Sequence, residues 1–405
     1  MEGEREANEL EKLLECAIPP GNQMVDYSLN PLVKFGEDYG VVSINTEILT
    51  QNSGKETLEK VNVTIKACTK SGRIQRIFPN GLEIEILFYK NILPAMKQFV
   101  VDRGGCRLLD FFPKFHAARN SLKSDMFDED AILLIENVEE NGFRATSDFD
   151  FETTKNIIRD LAIFHAIPIA FKSINFDKFN AEIMSHLQHK RMFKNISQKS
   201  ENELLDVAIK AAQLSPEGED LLPRVVKSIS GNVLYFSSDH LTTESEQFST
   251  VIHNNLCLSS VVTKFENDVP VQSKFISFNM LEYGSLARDL VFVLLSSVNI
   301  DVLKESYFEF VTYYYNIFIS VLMELNCDTH QFTLELLHEE INFVASKMEF
   351  FHLMVVTSHL YGQRKEVEPN EDDTEIDYFL QVEPNERCLQ RIHEIILFFG
   401  KKCWI

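Results

Sequence analysis

Long apolar runs are missing from the 405 residues. The longest, such as Leu290 to Leu295, fall far short of the ~18 residues that suggest a membrane span. The first residues, Met1 to Glu15, are charged and contain no apolar signal region. Cysteine is sparse and scattered: Cys16, Cys68, Cys106, Cys257, Cys327, Cys388 and Cys403, an odd number without a Cys-x-x-Cys pair. This pattern speaks against a structural zinc, a haem attachment or a disulfide framework, and predicts a reduced, cytoplasmic protein. Basic charge is also short. Lys plus Arg is 39 against 61 for Asp plus Glu, a formal net charge of −22. Phosphates repel such a surface, so neither nucleic acid nor an anionic membrane is an expected partner.

Apolar residues are plentiful. They make up 45% of the chain, which suits a large core and argues against disorder. At roughly 150 residues per domain the length fits two or three units, or one two-lobed unit. Residues 5–17 place Leu10, Leu13, Leu14 and Ala17 at helical spacing, and Pro19, Pro20 and Gly21 end that helix. Strand character follows in Val41, Ile44 and Ile48, and again in Val61, Val63 and Ile65, with a turn at 51–55. Residues 82–99 read as a helix with Ile84, Leu87, Phe88 and Ile92 on one face. Residues 131–136 read as a buried strand.

After Asn141-Gly142 the pattern becomes helical, over 153–166, 202–213, 301–325, 331–360 and 387–400. Short strand-like runs interrupt it: Thr250 to Ile252, Leu258 to Lys264 and Val271 to Phe278. Residues 363–377 read as an acidic loop. The expected architecture is α+β with two lobes, a β-rich one over 1–135 and a mostly helical one over 136–405. That pattern alone names no function.

Chemistry concentrates in a few segments. Thr64-Ile65-Lys66 lies on a strand and Glu85 on the next helix. Leu133 to Val138 follows, then Leu161-Ala162-Ile163-Phe164-His165-Ala166. Farther on come Val251-Ile252-His253-Asn254-Asn255-Leu256-Cys257-Leu258-Ser259-Ser260, then Ser277-Phe278-Asn279 and Tyr283-Gly284-Ser285-Leu286-Ala287-Arg288-Asp289-Leu290. In this order, and with the Glu85 to Pro94 run, they resemble the ecdysteroid-kinase-like (CHK kinase-like) family of insects. That family is related to choline kinases and aminoglycoside phosphotransferases, and more distantly to protein kinases. The resemblance covers about residues 30–400 and implies a protein-kinase-like two-lobe fold.

The resemblance also implies a chemistry, phosphoryl transfer from ATP to a small-molecule hydroxyl. In such folds a strand lysine holds the phosphates and a helix glutamate positions it. A catalytic-loop Asp accepts the hydroxyl proton, and an Asn and a second Asp hold magnesium. Lys66 and Glu85 match the lysine–glutamate pair, and His253 matches the family histidine. The family's His-Gly-Asp-x-Trp-x-Asn-Asn then departs: Asn254 replaces the glycine, Asn255 the catalytic Asp, Cys257 the tryptophan, and Ser259 and Ser260 the asparagine pair. Ser277 replaces the metal-binding Asp of Asp-Phe-Gln.

These departures are expected to impair catalysis. Asn has no carboxylate with which to take a proton, and a positioned general base contributes ~10²–10⁴ in rate. Serine at 277 offers magnesium a neutral oxygen in place of a hard anionic ligand. Asp239, Glu266, Asp268 and Glu282 are candidates by proximity in sequence, and none is expected to substitute.

The remaining pieces have two readings each. Gly36 and Gly40 stand where the family places its phosphate-covering turn, and an ordinary β-turn explains them as well. Glu136, Asn137 and Val138 match the adenine-binding hinge, or form a plain inter-lobe linker. His253 and Asp289 are expected to brace the loop, and His165 to be a satisfied core histidine. The preferred expectation is a catalytically impaired pseudokinase that binds a hydrophobic small molecule, a nucleotide such as ATP, or a partner. The alternative is an active ATP-dependent small-molecule O-phosphotransferase, such as a steroid-alcohol kinase, with altered magnesium ligands.

Overall fold

The computed structural model describes residues 2–31, 41–52, 57–68, 81–105, 109–187, 197–237, 246–365 and 375–405. Gly36, Gly40, Cys106, Asp239, part of the turn at 51–55 and most of the acidic loop at 363–377 lie outside them.

The first lobe is built on one antiparallel sheet in the order β1-β2-β3-β5-β4. Its strands are β1 (Asn22–Pro31), β2 (Val41–Asn52), β3 (Leu58–Cys68), β4 (Phe115–Arg119) and β5 (Ile132–Glu136). Alternation on β3 divides its residues between two faces. Val63 and Ile65 face a small core with Ile48, Leu134 and Ala117. Helix α1 (Glu2–Glu15) closes that core with Leu14 and is followed by Ala17. Leu133 and Ile135 alternate with Leu134 and belong to the main core on the other face.

A continuous helical segment follows β3. Helix α2 (Gly81–Leu87) passes through a π turn (Phe88–Ile92) into α3 (Leu93–Asp102), which starts with Pro94 in its first turn. A π turn adds a residue to the local repeat. Here Glu85, Ile86, Phe88, Tyr89 and Ile92 are all buried.

The second lobe is helical: α4 (Phe151–Ile174), α5 (Gln198–Ala212), α6 (Pro216–Ser237), α7 (Leu286–Ser297), α8 (Ile300–Glu324), α9 (Leu334–Val344), α10 (Phe350–Tyr361) and α11 (Glu386–Lys402). Asp150 caps α4 by accepting from the Thr153 amide at 2.8 Å. The helix runs on through Pro168, beyond the expected 153–166. Full burial of Ile167, Ile169, Ala170 and Phe171 offsets the proline's lost hydrogen bond. A three-stranded sheet of β6 (Phe143–Arg144), β8 (Val261–Glu266) and β9 (Val269–Phe275) lies within this lobe. Strand β7 (Ser249–Ile252) pairs with β10 (Glu282–Ser285).

The main core crosses between the lobes. Phe278 stacks on Phe88 at 3.9 Å and 14°. Phe112 meets Phe88, Phe164 and Phe278 edge-on.

Candidate functional site

Register places Lys66 opposite Ser43 on β2 and Leu133 on β5. Pro31 pairs with Ile44, so Lys66 sits at the end of the sheet where β1 connects to β2. Its ammonium donates to both carboxylate oxygens of Glu85, at 2.6 and 2.9 Å. Both side chains are buried. The Phe278 amide also donates to Glu85, at 3.3 Å. Glu85 therefore ties the sheet lysine to the segment that follows β9.

The loop after β7 hangs on Asp289, in the first turn of α7. Its two oxygens accept from the His253 amide at 2.6 Å and the Asn254 amide at 2.8 Å. His165 Nε2 lies 3.1 Å from the same carboxylate, and its Nδ1 lies 2.7 Å from the Tyr314 hydroxyl. Burial alone would push the Asp289 carboxyl up, but His165 and His253 outweigh it and hold it below the usual range. Burial keeps Tyr314 protonated. The Asp289 carboxylate and the Tyr314 hydroxyl thus engage both ring nitrogens of His165. His253 donates from Nε2 to the Ile276 carbonyl at 2.9 Å. Burial drives its pKa down, against Asp289, so the ring is neutral.

Asn254 occupies the left-handed region, with φ 62°. Asn tolerates that region better than most residues, which accounts for its fitting where the family has glycine. Its side chain is held on both sides. Arg288 donates to Oδ1 at 2.7 Å, and Nδ2 donates to Glu282 at 3.1 Å. Arg288 also pairs with Glu349 at 3.2 Å, and Glu349 lies 3.2 Å from His352 Nδ1. Nothing in the sequence singled out Glu349, which reads there as one polar residue among apolar neighbours.

Asn255, expected at the catalytic position, is buried and carries no charge. Ser260 does not turn outward to a ligand. Its hydroxyl donates to the Asn255 carbonyl at 2.7 Å and accepts from the Cys257 amide at 2.7 Å. Cys257 fills the tryptophan position with its thiol 3.3 Å from the Ser259 hydroxyl. Ser277 is left-handed, with φ 64°.

Magnesium favours hard oxygen ligands, and this set offers it little. Asn255, Ser260 and Ser277 bring no carboxylate, and the Ser260 hydroxyl is committed within its own loop. Among the described residues no group of three His, Cys, Asp or Glu side chains is placed to hold a metal ion. Glu266 and Asp268 are exposed at the β8–β9 turn. Glu282 is engaged with Asn254 and, at 3.5 Å, with Arg288. The residues present do not fit the family's metal.

The segment Glu136 to Val138, expected as hinge or linker, is tied to its surroundings. Glu136 lies opposite Val63, on the face away from Lys66. Its carboxylate accepts from Lys274 of β9 at 2.5 Å, from the Lys114 amide at 2.9 Å and from Asn141 at 2.7 Å. Burial raises the Glu136 carboxyl, but these donors, Lys274 foremost, bring it below its ordinary value. The Asn137 amide donates to the Asn62 carbonyl, and the Val138 carbonyl accepts from Asn141 and Phe143. Lys274 also lies over the Phe143 ring at 5.1 Å. No sequence signal pointed to Lys274.

A five-stranded sheet with a lysine bound to a helix glutamate, joined to a helical lobe that carries a loop and hairpin, is a protein-kinase-like two-lobe fold. The chain belongs to the ecdysteroid kinase-like family, whose profile matches residues 35–327. Among solved structures, the Plasmodium vivax ethanolamine kinase is similar at TM-score 0.39 and 11% identity, over 83% of this chain and 75% of that one. A GDP complex of a mutant aminoglycoside 2'-phosphotransferase-IIIa is similar at TM-score 0.37 and 13% identity, over 86% and 89%. The wild-type enzyme's GDP complex gives 0.35 and 12%, over 86% and 90%. No curated protein matches the sequence significantly.

Proposed function

We propose that this chain is a catalytically impaired member of its family, a pseudokinase that holds a small molecule in its inter-lobe cleft without transferring a phosphoryl group. One observation carries the reading. The three positions that need a base or a metal ligand are neutral together, and the Ser260 hydroxyl is folded back onto the Asn255 carbonyl. A lost base alone removes ~10²–10⁴ in rate, and groups that act as a unit fail together. Scattered cysteines, six of them free among the described residues, support a reduced cytoplasmic setting. Among those residues no helix is long and apolar enough to cross a membrane.

The intact Lys66–Glu85 pair favours the second reading, an active small-molecule kinase with altered metal ligands. Thermal-shift titration with ATP, with and without magnesium, separates the two, because a ligand that binds the folded state raises its stability. The impaired reading expects no magnesium-dependent shift and no ATP turnover on hydroxylated acceptors. A magnesium-dependent shift with turnover would overturn it in favour of the second reading.

A further inference from the structure

On the face turned toward the helical lobe the sheet is apolar on β5 and becomes polar across β3 and β2. Residues directly opposite on neighbouring antiparallel strands share a face. Thr64, two residues before Lys66, lies opposite Asn45 on β2 and Ile135 on β5. Asn45 in turn lies opposite Asn30 on β1. Ile135 and Leu133 belong to the main core, so this is the face that looks toward the second lobe. Moving from β5 toward β1 along one row, the side chains change from Ile135 to Thr64, Asn45 and Asn30. The Thr64 hydroxyl donates to Asn45 Oδ1 at 3.0 Å, and both residues are half-buried.

We infer that Asn45 and Thr64 are specificity-determining residues that turn this cleft away from a stacked purine. A flat heteroaromatic ring gains affinity when its π-faces are covered by apolar atoms. Here, past the apolar Leu133 and Ile135 of β5, the ceiling beside Lys66 is a hydroxyl on β3 and a side-chain amide on β2. A ring laid against them strips their water and returns no hydrogen bond across its face. A ligand that turns hydroxyl or amide groups to the sheet suffers no such loss. The inference rests on the reading of this cleft as a ligand site, and makes no use of metal or phosphate.

Adenosine is therefore the probe, since it carries the base without phosphates and needs no magnesium. Isothermal titration on the full chain should give no measurable heat with the wild type at millimolar adenosine. The double variant Asn45→Val with Thr64→Val should bind about tenfold tighter or better. Valine suits a strand at both positions, and a cooperative melt verifies the fold. Wild-type binding equal to the variant's would overturn the inference, and so would a folded variant that gains nothing. If the double variant does not fold, the near-isosteric Thr64→Val alone is compared with the wild type under the same two outcomes. Because ATP and magnesium are absent, the result is independent of the turnover test.

Discussion

Asp289 grips His253 by its backbone: one carboxylate oxygen accepts the His253 amide at 2.6 Å while the other takes the amide of Asn254. The same carboxylate carries His165. Asp289→Ala leaves two amides and a histidine unsatisfied in a dry site. Its expected cost is about 3–5 kcal/mol, the range for breaking a buried charged pair. Urea unfolding measures it, and a cost under ~1 kcal/mol would show that the loop stands without this support.

The Lys274–Glu136 pair joins β9 to the end of β5, with side chains 10% and 15% exposed. Lys274→Met should cost roughly 2–4 kcal/mol, less than for a fully dry pair because some solvent reaches it. A double-mutant cycle with Glu136→Gln should return a coupling of about 1 kcal/mol or more. Strict additivity would mean that the two residues act independently.

Stability should fall in mild acid partly through His116. Burial, then the nearby Lys114, push its pKa down to about 4, with Glu136 pulling weakly upward. An unfolded histidine titrates near the ordinary 6.5. Between these values the unfolded chain binds the extra proton. The His116 contribution is therefore fully present above about 6.5 and is lost as pH falls through about 4. Neutral, buried His253 acts in the same direction. Urea midpoints from pH 7.5 to 4.5 should drop more steeply for the wild type than for His116→Phe. Parallel slopes would remove His116 from the account.

Ser277 holds a left-handed backbone without glycine. Asp visits that region far more readily than a β-branched residue. Ser277→Asp should keep wild-type stability within about 0.5 kcal/mol, whereas Ser277→Val should lose about 1–2 kcal/mol. Equal stabilities would mean that the turn relaxes freely.

If the polar ceiling excludes a base, restoring the chemistry alone should not restore the reaction. Asn255→Asp with Ser260→Asn and Ser277→Asp should remain inactive on ATP until Asn45→Val and Thr64→Val are added. A triple variant that turns over ATP on its own would count against the ceiling's role.

Much of this architecture was legible in the chain. Val61, Val63 and Ile65 alternate, and Ile84, Leu87, Phe88 and Ile92 recur at helical spacing, because each element shows one apolar face to a core. The segments with weak periodicity were not legible. Strand β1 carries Asn22, Gln23, Asp26, Ser28 and Asn30 on a solvated edge, so no alternation marks it. Helix α6 contains Gly218 and Pro223, which read as breakers, yet burial of Leu221, Val225 and Ile229 holds it together. At the site, the lysine–glutamate pair and the altered loop were readable from motif order. The Lys274–Glu136 and Arg288–Glu349 pairs were not, since they join charges that are distant along the chain and meet only through the fold. The π turn at Phe88 likewise leaves no mark in residue types.

The core beneath α1 shares no residue with the main core. Helix α1 is thus a cover on one face of the sheet rather than part of the main body, and its bond to the rest is a handful of apolar contacts. Heat or denaturant should peel it away before the aromatic weld at Phe88 and Phe278 gives. The amides of α1 should then exchange with solvent at free energies well below those of α4.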